Sequence, residues 1–328
     1  MKLSNLKARP DKYKDTLALI ERNFEYQSPN RFDIDFFPLM KEENRENCWI
    51  FLKNDQVVAH TGVLEKKFKI NNQLFPVAFI GGVAVEENSR GNGLSARLLE
   101  NIFSAYRRVS FFALWSDKVE MYKKSGFYPC IELFELAAKE NAASSFQKTK
   151  LSELSPENIE SLKKLYDSES EIRVFRTQKD WKVLKNVSSC DLYVKRNGEI
   201  LSNYIFVNKG QDLKGVIHEY GHLKDKSEAL AHGKLWTSQF QKEATALFGA
   251  LVKPGVAENF KNFIQAFTHN RIRIHSIKGK IEEKIFFAFE GKDFALDTET
   301  FLQGVFGPGR FEELSDLPNL FIGGIDSV

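Results

Sequence analysis

The sequence is poor in cysteine and lacks any long apolar run, and each shortage closes off a class of protein. Cys48, Cys130 and Cys190 are odd in number, far apart and without a C-x-x-C spacing, which argues against a disulfide framework and against a cysteine-held zinc. No stretch approaches the roughly 20 apolar residues of a membrane span. The opening MKLSNLKARPDKYKD has no apolar centre of the kind a secretion signal requires. The expectation is a protein of the reducing cytoplasm that does not engage a membrane. A surplus of charge is missing too: 47 Lys and Arg stand against 44 Asp and Glu, a net +3 over 328 residues. The basic residues are spread along the chain, so nucleic acid is not an expected partner.

What is present, 42% hydrophobic and 28% charged residues, describes a globular chain long enough for two domains. Residues 137 to 150, AAKENAASSFQKTK, are small and polar without periodicity and read as a linker. The same signals recur on either side. KLSNL, Pro10 and a helical pattern through Leu17, Ile20 and Phe24 are matched by KLSEL, Pro156 and a pattern through Ile159, Leu162 and Leu165. CWIFLKNDQVVAHTGVL from Cys48 is matched by CDLYVKRNGEILSNYIF from Cys190, with hairpin turns at Asn54-Asp55 and Asn197-Gly198. A long strand follows in each, over 74–85 and 213–220. The order strand, helix, hairpin, long strand, helix, strand, helix, strand predicts one mixed α/β unit used twice. The expected division is 1–137, a linker 138–149, a second lobe 150–268 and a C-terminal extension 269–328.

The stretch IGGVAVEENSRGNGLSARLLENIF, Ile80 to Phe103, carries the chemistry. An apolar strand ending at Val85 leads through a polar run into Arg90-Gly91-Asn92-Gly93-Leu94-Ser95, after which Leu94, Leu98, Leu99, Ile102 and Tyr106 recur at helical spacing. A helix opened by such a turn offers unpaired N–H groups and the positive end of its dipole to a phosphate. Glycines let the ligand approach, and an arginine adds charge-assisted bonds. A diphosphate is the natural occupant; a tight strand-to-helix turn without a ligand is the alternative reading.

A second motif competes. His218-Glu219-Tyr220-Gly221-His222 fits H-E-x-x-H, which on a helix puts two imidazoles on one zinc with the glutamate polarising the metal-bound water. Residues 213–220, bounded by Gly210 and Gly221, are too short a run for that helix and read as a strand. Glu228, His232 and Glu243 have no diagnostic third-ligand spacing. No metal is expected, and a zinc metallopeptidase stays as the alternative enzyme class. From Ser227 onward, Ala229, Gly233, Trp236 and Phe240 fall at helical spacing, with Asp225 or Ser227 able to cap.

The run V-A-V-x-x-x-x-R-G-x-G-x-S-x-x-L-L resembles motif A of the GCN5-related N-acetyltransferase (GNAT) superfamily. Arg90, Gly91, Asn92, Gly93, Leu94 and Ser95 occupy the six positions of its R/Q-x-x-G-x-G/A signature, with Ser95 where glycine or alanine is usual. FFALWSDKVEMYKKSGFYPC, Phe111 to Cys130, resembles motif B, with Met121 in place of an aromatic before Tyr122. The resemblance implies the acyl-CoA N-acyltransferase fold, acetyl-CoA as acyl donor, and an N-acetyltransferase acting by direct attack of a primary amine, on a small molecule or a protein, upon the thioester. It implies that Val83, Ala84 and Val85 pair with the pantetheine arm, that Arg90 to Ser95 hold the pyrophosphate, and that Tyr122 is the general acid. A phenol of reference pKa ~10 stays protonated at neutral pH, as that last role needs.

For the base, Glu86, Glu87, His60 and Asp117 are candidates, against readings as loop residues, a satisfied histidine and a helix N-cap. The two-lobed arrangement resembles the enhanced-intracellular-survival acetyltransferases without their full third domain. That implies a terminal carboxylate, here Val328, reaching the active site to assist deprotonation; simple packing of the apolar tail LPNLFIGGIDSV is the alternative. No R-x-x-G-x-G recurs between 213 and 240, so a second CoA site is not expected. A non-catalytic acyl-CoA-binding module is the third functional class, and an oligomer is compatible with all three.

Overall fold

The computed structural model describes residues 1–139, 142–223, 226–238, 242–278, 283–307, 309–317 and 319–328. The chain opens with β1 (Lys2–Asn5) and α1 (Tyr13–Asn23), which buries Thr16, Leu17, Leu19 and Ile20 on one face. Two single-turn helices, α2 (Phe32–Asp35) and α3 (Phe37–Met40), precede the meander β2 (Cys48–Lys53), β3 (Gln56–Ile70) and β4 (Gln73–Val85). The amphipathic α4 (Leu94–Ala105) follows, burying Leu94, Leu98, Leu99 and Ile102, and then β5 (Phe111–Leu114), α5 (Val119–Lys123), β6 (Tyr128–Pro129) and β7 (Glu132–Leu136).

The second half runs β8 (Gln147–Thr149), α6 (Pro156–Glu169), β9 (Ile172–Val174), α7 (Gln178–Leu184) and the meander β10 (Asp191–Asn197), β11 (Ile200–Val207), β12 (Val216–Gly221). Three short strands follow: β13 (Lys234–Thr237), β14 (Thr245–Phe248) and β15 (Leu251–Pro254). The remainder is α8 (Ala257–Phe267), the antiparallel sheet β16 (Ile272–Lys278), β17 (Lys284–Phe289), β18 (Lys292–Asp297), and α9 (Thr298–Phe306). The mixed α/β class and the C-terminal extension are as expected.

The two large sheets share one plan. The first is ordered β1-β2-β3-β4-β5-β15-β6 and the second β8-β10-β11-β12-β13-β7-β14. In each, the fourth and fifth strands are parallel, β4 with β5 and β12 with β13. Each sheet takes its sixth strand from the other half of the chain: β15 lies between β5 and β6, and β7 lies between β13 and β14. A further strand of the second half, β9, pairs with the far end of β3, Phe68 opposite Val174. The halves are therefore joined through backbone ladders as well as side chains.

Aromatic packing fixes α8 and α9 to the first sheet. Phe263 meets Phe68, Phe75 and Phe111 at 6.4, 5.6 and 5.0 Å between ring centres. Phe267 meets Phe306 edge-on at 4.8 Å. Such pairs add about 0.5–1.5 kcal/mol each beyond the apolar area they bury.

Two local expectations change. The helix predicted from Ser227 is a 3₁₀ turn at Ala229–Ala231 followed by strand β13. Leu235 is fully buried there, paired with Leu136 and Ile217, so ladder pairing overrides a helical spacing that rested on few residues; Asp225 and Phe240 lie outside the described residues. KLSEL is a 3₁₀ turn over Leu151–Glu153, and the strand it was expected to form comes just before it, as β8. Among the described residues no helix is long and apolar enough to cross a membrane.

Candidate active site

The parallel pair β4 and β5 is bonded only at Ala78 opposite Phe112 and Phe79 opposite Ala113. Past that point β4 continues to Val85 while β5 ends at Leu114, so β5 leaves one edge of residues 80–85 unpaired. The other edge of β4 stays on β3, with Ala84 opposite His60 and Val85 opposite Ala59. A bulge interrupts this ladder between His60 and Gly62. Gly82 takes a left-handed φ of 59° there, and His60 Nδ1 lies 2.7 Å from its carbonyl oxygen, which accepts the ring N–H. The bulge re-aims β4 just ahead of Val83.

At the end of β4 the chain turns through Arg90, Gly91, Asn92 and Gly93 into α4. Gly91 and Gly93 have φ of 76° and 67°, conformations that suit glycine, and a β-carbon on either would meet nothing within 4 Å. Open space therefore lies over the turn. Asn92 Nδ2 donates to the carbonyls of Ser89 and Arg90 at 3.1 and 3.3 Å and draws the loop inward. Intrahelical bonding starts with Arg97 N–H to the Gly93 carbonyl, 3.0 Å, which leaves the N–H groups of Leu94, Ser95 and Ala96 without a helical acceptor. No acidic residue sits in this first turn to compete with an anion for those donors. Leu94, 2% exposed, pins the helix start against Phe51, Val58, Ala59 and Leu98. The turn fits a diphosphate: the donors are unspent, the glycines clear the approach, and the helix end is anchored.

Arg90 is exposed and leans toward the end of β4: its Nε is 3.4 Å from the Val85 carbonyl and one guanidinium nitrogen 3.1 Å from Asn23 Oδ1. Asn23 also accepts the Val85 N–H at 3.4 Å. Asn23, the last residue of α1, was missed from sequence because a polar residue ending an amphipathic helix carries no signal of its own. Tyr122, on α5, packs edge-to-face on Phe127 at 6.0 Å between ring centres and belongs to the apolar cluster of Ile80, Leu114 and Val83. Burial, followed by the charge of Asp117, pushes its phenol up to about 12. Its hydroxyl makes no hydrogen bond to any described residue.

The acetyltransferase (GNAT) domain family matches residues 6–130. That stretch takes in α1 through β6, including the glycine turn and α5. Solved structures agree in fold over nearly the whole length. A GCN5-related N-acetyltransferase from Anabaena variabilis superimposes with a TM-score of 0.61 at 12% identity, covering 92% of this chain and 89% of that one. Eis1 from Mycobacterium abscessus gives 0.59 at 10% identity, covering 93% and 89%. A GCN5-related N-acetyltransferase from Kribbella flavida gives 0.56 at 12% identity, covering 90% and 84%. No curated protein matches the chain by sequence.

The terminal residue, Val328, lies on β4: a β-carbon built on Gly81 would stand 2.5 Å from its carboxyl carbon. Gly81 faces Gly62 across the ladder, and a β-carbon on Gly62 would touch Leu39 at 2.9 Å, so the terminus lies on the α3 side of the sheet. His60 is fully buried; burial lowers its pKa to about 4, against the Gly82 carbonyl that raises it. It is a neutral, satisfied histidine at Nδ1. Glu86 is held by Arg22 at 2.6 Å, and Glu87 lies exposed in the 3₁₀ turn before the cradle. Asp117 does not cap α5; Ser116 Oγ accepts the Lys118 N–H instead, 3.1 Å.

The H-E-x-x-H segment forms β12, not a helix, so the metallopeptidase reading fails on geometry. Four residues of strand separate positions i and i+4 by roughly 13 Å, too far for two imidazoles to share one zinc at ~2 Å. His218 Nε2 lies 2.8 Å from the Asn208 carbonyl and 3.6 Å from Cys190 Sγ, and burial lowers its pKa to about 3. Glu219 is bound by Arg176 and Tyr204. His222 follows the strand with a left-handed φ of 62°. Among the described residues Glu228 pairs with Lys195 at 2.7 Å, and His232 Nε2 lies 2.8 Å from Ser144 Oγ.

Proposed function

We propose that the chain is an acetyl-CoA-dependent N-acetyltransferase that acts on a primary amine. The observation that carries this reading is the junction at β4: a glycine turn with unspent donors closes one end of the segment that β5 leaves unpaired, and the chain's terminal carboxylate rests on Gly81 partway along it. The bound donor would supply an acyl group already activated as a thioester. Leu94, Ser95 and the glycine turn would hold its pyrophosphate, with Arg90 able to swing from Asn23 to add charge. The edge of β4 at Val83, Ala84 and Val85 would pair with the pantetheine amides and turn backbone N–H groups toward the thioester carbonyl.

Two groups of the chain would move protons. The Val328 carboxylate takes one from the incoming amine, which attacks only when unprotonated. The Tyr122 hydroxyl, kept protonated by its surroundings, gives one to the departing sulfur. The repeated strand order of the two sheets supports a duplicated plan in which 1–137 does the chemistry and 150–268 keeps the sheet without the cradle. The three cysteines, free and buried, fit a reducing cytoplasm.

The test is thiol release from acetyl-CoA with alkyl diamines, amino sugars and lysine peptides as acceptors, run beside longer acyl-CoAs. Amine-dependent release with acetyl-CoA supports the reading. Release only with longer acyl-CoAs would correct the donor, and binding of CoA without turnover on any acceptor would favour a non-catalytic module.

A further inference from the structure

Four charged side chains, Arg176, Glu219, Asp326 and Lys66, are gathered out of water where the two halves meet, with Asp180 half-buried at their edge. Arg176, in the loop between β9 and α7, is 8% exposed overall, with 1% of its side chain exposed. Its guanidinium forks onto both oxygens of Glu219 and onto Asp326 Oδ2, from Nε at 2.9 Å and from a terminal nitrogen at 2.7 Å. The plane lies over the rings of Tyr166 and Trp181 at 3.9 and 4.8 Å. Lys66, from β3 of the first sheet, reaches Asp326 Oδ1 at 3.4 Å and Asp180 at 3.1 Å, and Tyr204 donates to Glu219 at 3.1 Å. Removing two cations and two carboxylates from water is costly, and mutual attraction seldom does more than offset it. Stability alone is a weak reason for such a cluster.

The cluster converges on the tail. Asp326 stands two residues before the terminus, and a span of two residues reaches at most about 7 Å, so fixing Asp326 fixes where the Val328 carboxylate falls. A third cation completes the hold. Lys209, fully buried over the Phe36 ring at 4.4 Å, donates to the carbonyls of Gly324 and Ser327, each at 2.7 Å. The floor beneath is the H-E pair of β12. A β-carbon on Gly323 would stand 2.5 Å from Glu219 Oε2, and one on Gly324 would stand 2.7 Å from His218, so the tail is shaped to seat against those two side chains.

We propose that Arg176, Glu219, Asp326 and Lys209 are positioning residues of the transfer reaction: the sheet without a cradle holds the last residues in register so that the terminal carboxylate stands on Gly81 of the sheet that has one. The role rests on the reading of Val328 as the proton acceptor.

Three variants test it: Asp326→Asn, Lys209→Met, and a chain ending at Ser327. The readouts are removal of Val328 by a carboxypeptidase, followed by mass, with kcat and acetyl-CoA Kd on the best amine of the acceptor screen. In the native chain Val328 should resist removal. Asp326→Asn and Lys209→Met should each speed its removal at least tenfold and lower kcat at least tenfold, with Kd within twofold. Asp326→Asn should cost nothing further in the chain ending at Ser327, because both changes remove one positioned group.

If both point variants fold, bind acetyl-CoA, and keep native resistance and native kcat, the positioning role is wrong. It is also wrong if the losses from Asp326→Asn and from truncation multiply. Should the chain ending at Ser327 keep full kcat, the proton-acceptor assignment falls and the positioning role with it, while acyl transfer stands. Should truncation lower kcat and the point variants not, the positioning role alone falls.

Discussion

Replacing Gly81 by alanine adds one methyl group at the point where the terminus meets β4. The methyl would sit 2.5 Å from the carboxyl carbon of Val328 and 2.9 Å from its β-carbon. Ordinary carbon contacts begin near 3.5 Å, so the terminus must retreat by about 1 Å. Gly81 does not adopt a left-handed φ, so alanine meets little backbone strain and the perturbation is steric. A displacement of that size in a reacting group costs on the order of 10²-fold in rate, about 2.7 kcal/mol of barrier. Overpacking costs about 1–3 kcal/mol of stability. Thiol-release kinetics should show kcat down 10- to 100-fold with the acetyl-CoA Kd, read by calorimetry, within twofold of native. Gly62→Ala is the matched control: it faces Gly81 across the ladder, but its methyl would meet Leu39 Cδ1, a side-chain end that can rotate. It should lower the unfolding midpoint and leave kcat within threefold. A folded Gly81→Ala protein with native kcat would refute the placement of Val328 in the reaction.

Arg90→Ala removes the charged donor nearest the cradle. Hydrogen bonds to charged groups are worth about 1.5–3 kcal/mol, so acetyl-CoA should bind roughly 10- to 100-fold more weakly in a titration, and unchanged affinity would sink the pyrophosphate assignment. Tyr122→Phe should lower kcat roughly 10²-fold at constant Kd. Because burial first, and Asp117 second, hold the native phenol up to about 12, kcat should show no alkaline decline from this group through the ordinary phenol range near ~10; equal turnover in the phenylalanine variant would exclude a general-acid role. His60 titrates near 6.5 in the unfolded chain but at about 4 when folded, chiefly through burial. Unfolding therefore takes up a proton between those values, and stability falls as pH drops from 6.5 toward 4, by roughly 3 kcal/mol for this residue. Denaturant unfolding at pH 7.5 and 4.5 should show a smaller acid loss in His60→Gln, and an identical loss would show that the ring titrates normally.

Reading the chain in order was enough for whatever depends on near neighbours. The alternation of IGGVAV, the glycine turn and the 3.6-residue recurrence of Leu94, Leu98 and Ile102 record strand, cradle and helix locally. The structure keeps all three in β4, the turn and α4. The strand character of LKGVIHEY was legible for the same reason and weakened the zinc reading, which the strand β12 then removed. Where the local signal was thin, as over Ala229 to Trp236, a ladder with Leu136 and Ile217 decided the outcome.

The amino-acid sequence by itself determined most of the elements of the first half and the glycine turn, because each is fixed by interactions within a few residues. Only the tertiary structure decided that β7 and β15 trade sheets, that Val328 rests on Gly81, and that Arg176 meets a carboxylate 150 residues away. These depend on which surfaces fit once the elements exist. An arginine in a loop, a glycine in a strand and a valine at the terminus carry no local trace of the contact they will make. The same distance in sequence explains HEYGH. Its residue types suggested a metal, and its place in the fold gave Glu219 to Arg176 and made His218 a floor for the tail.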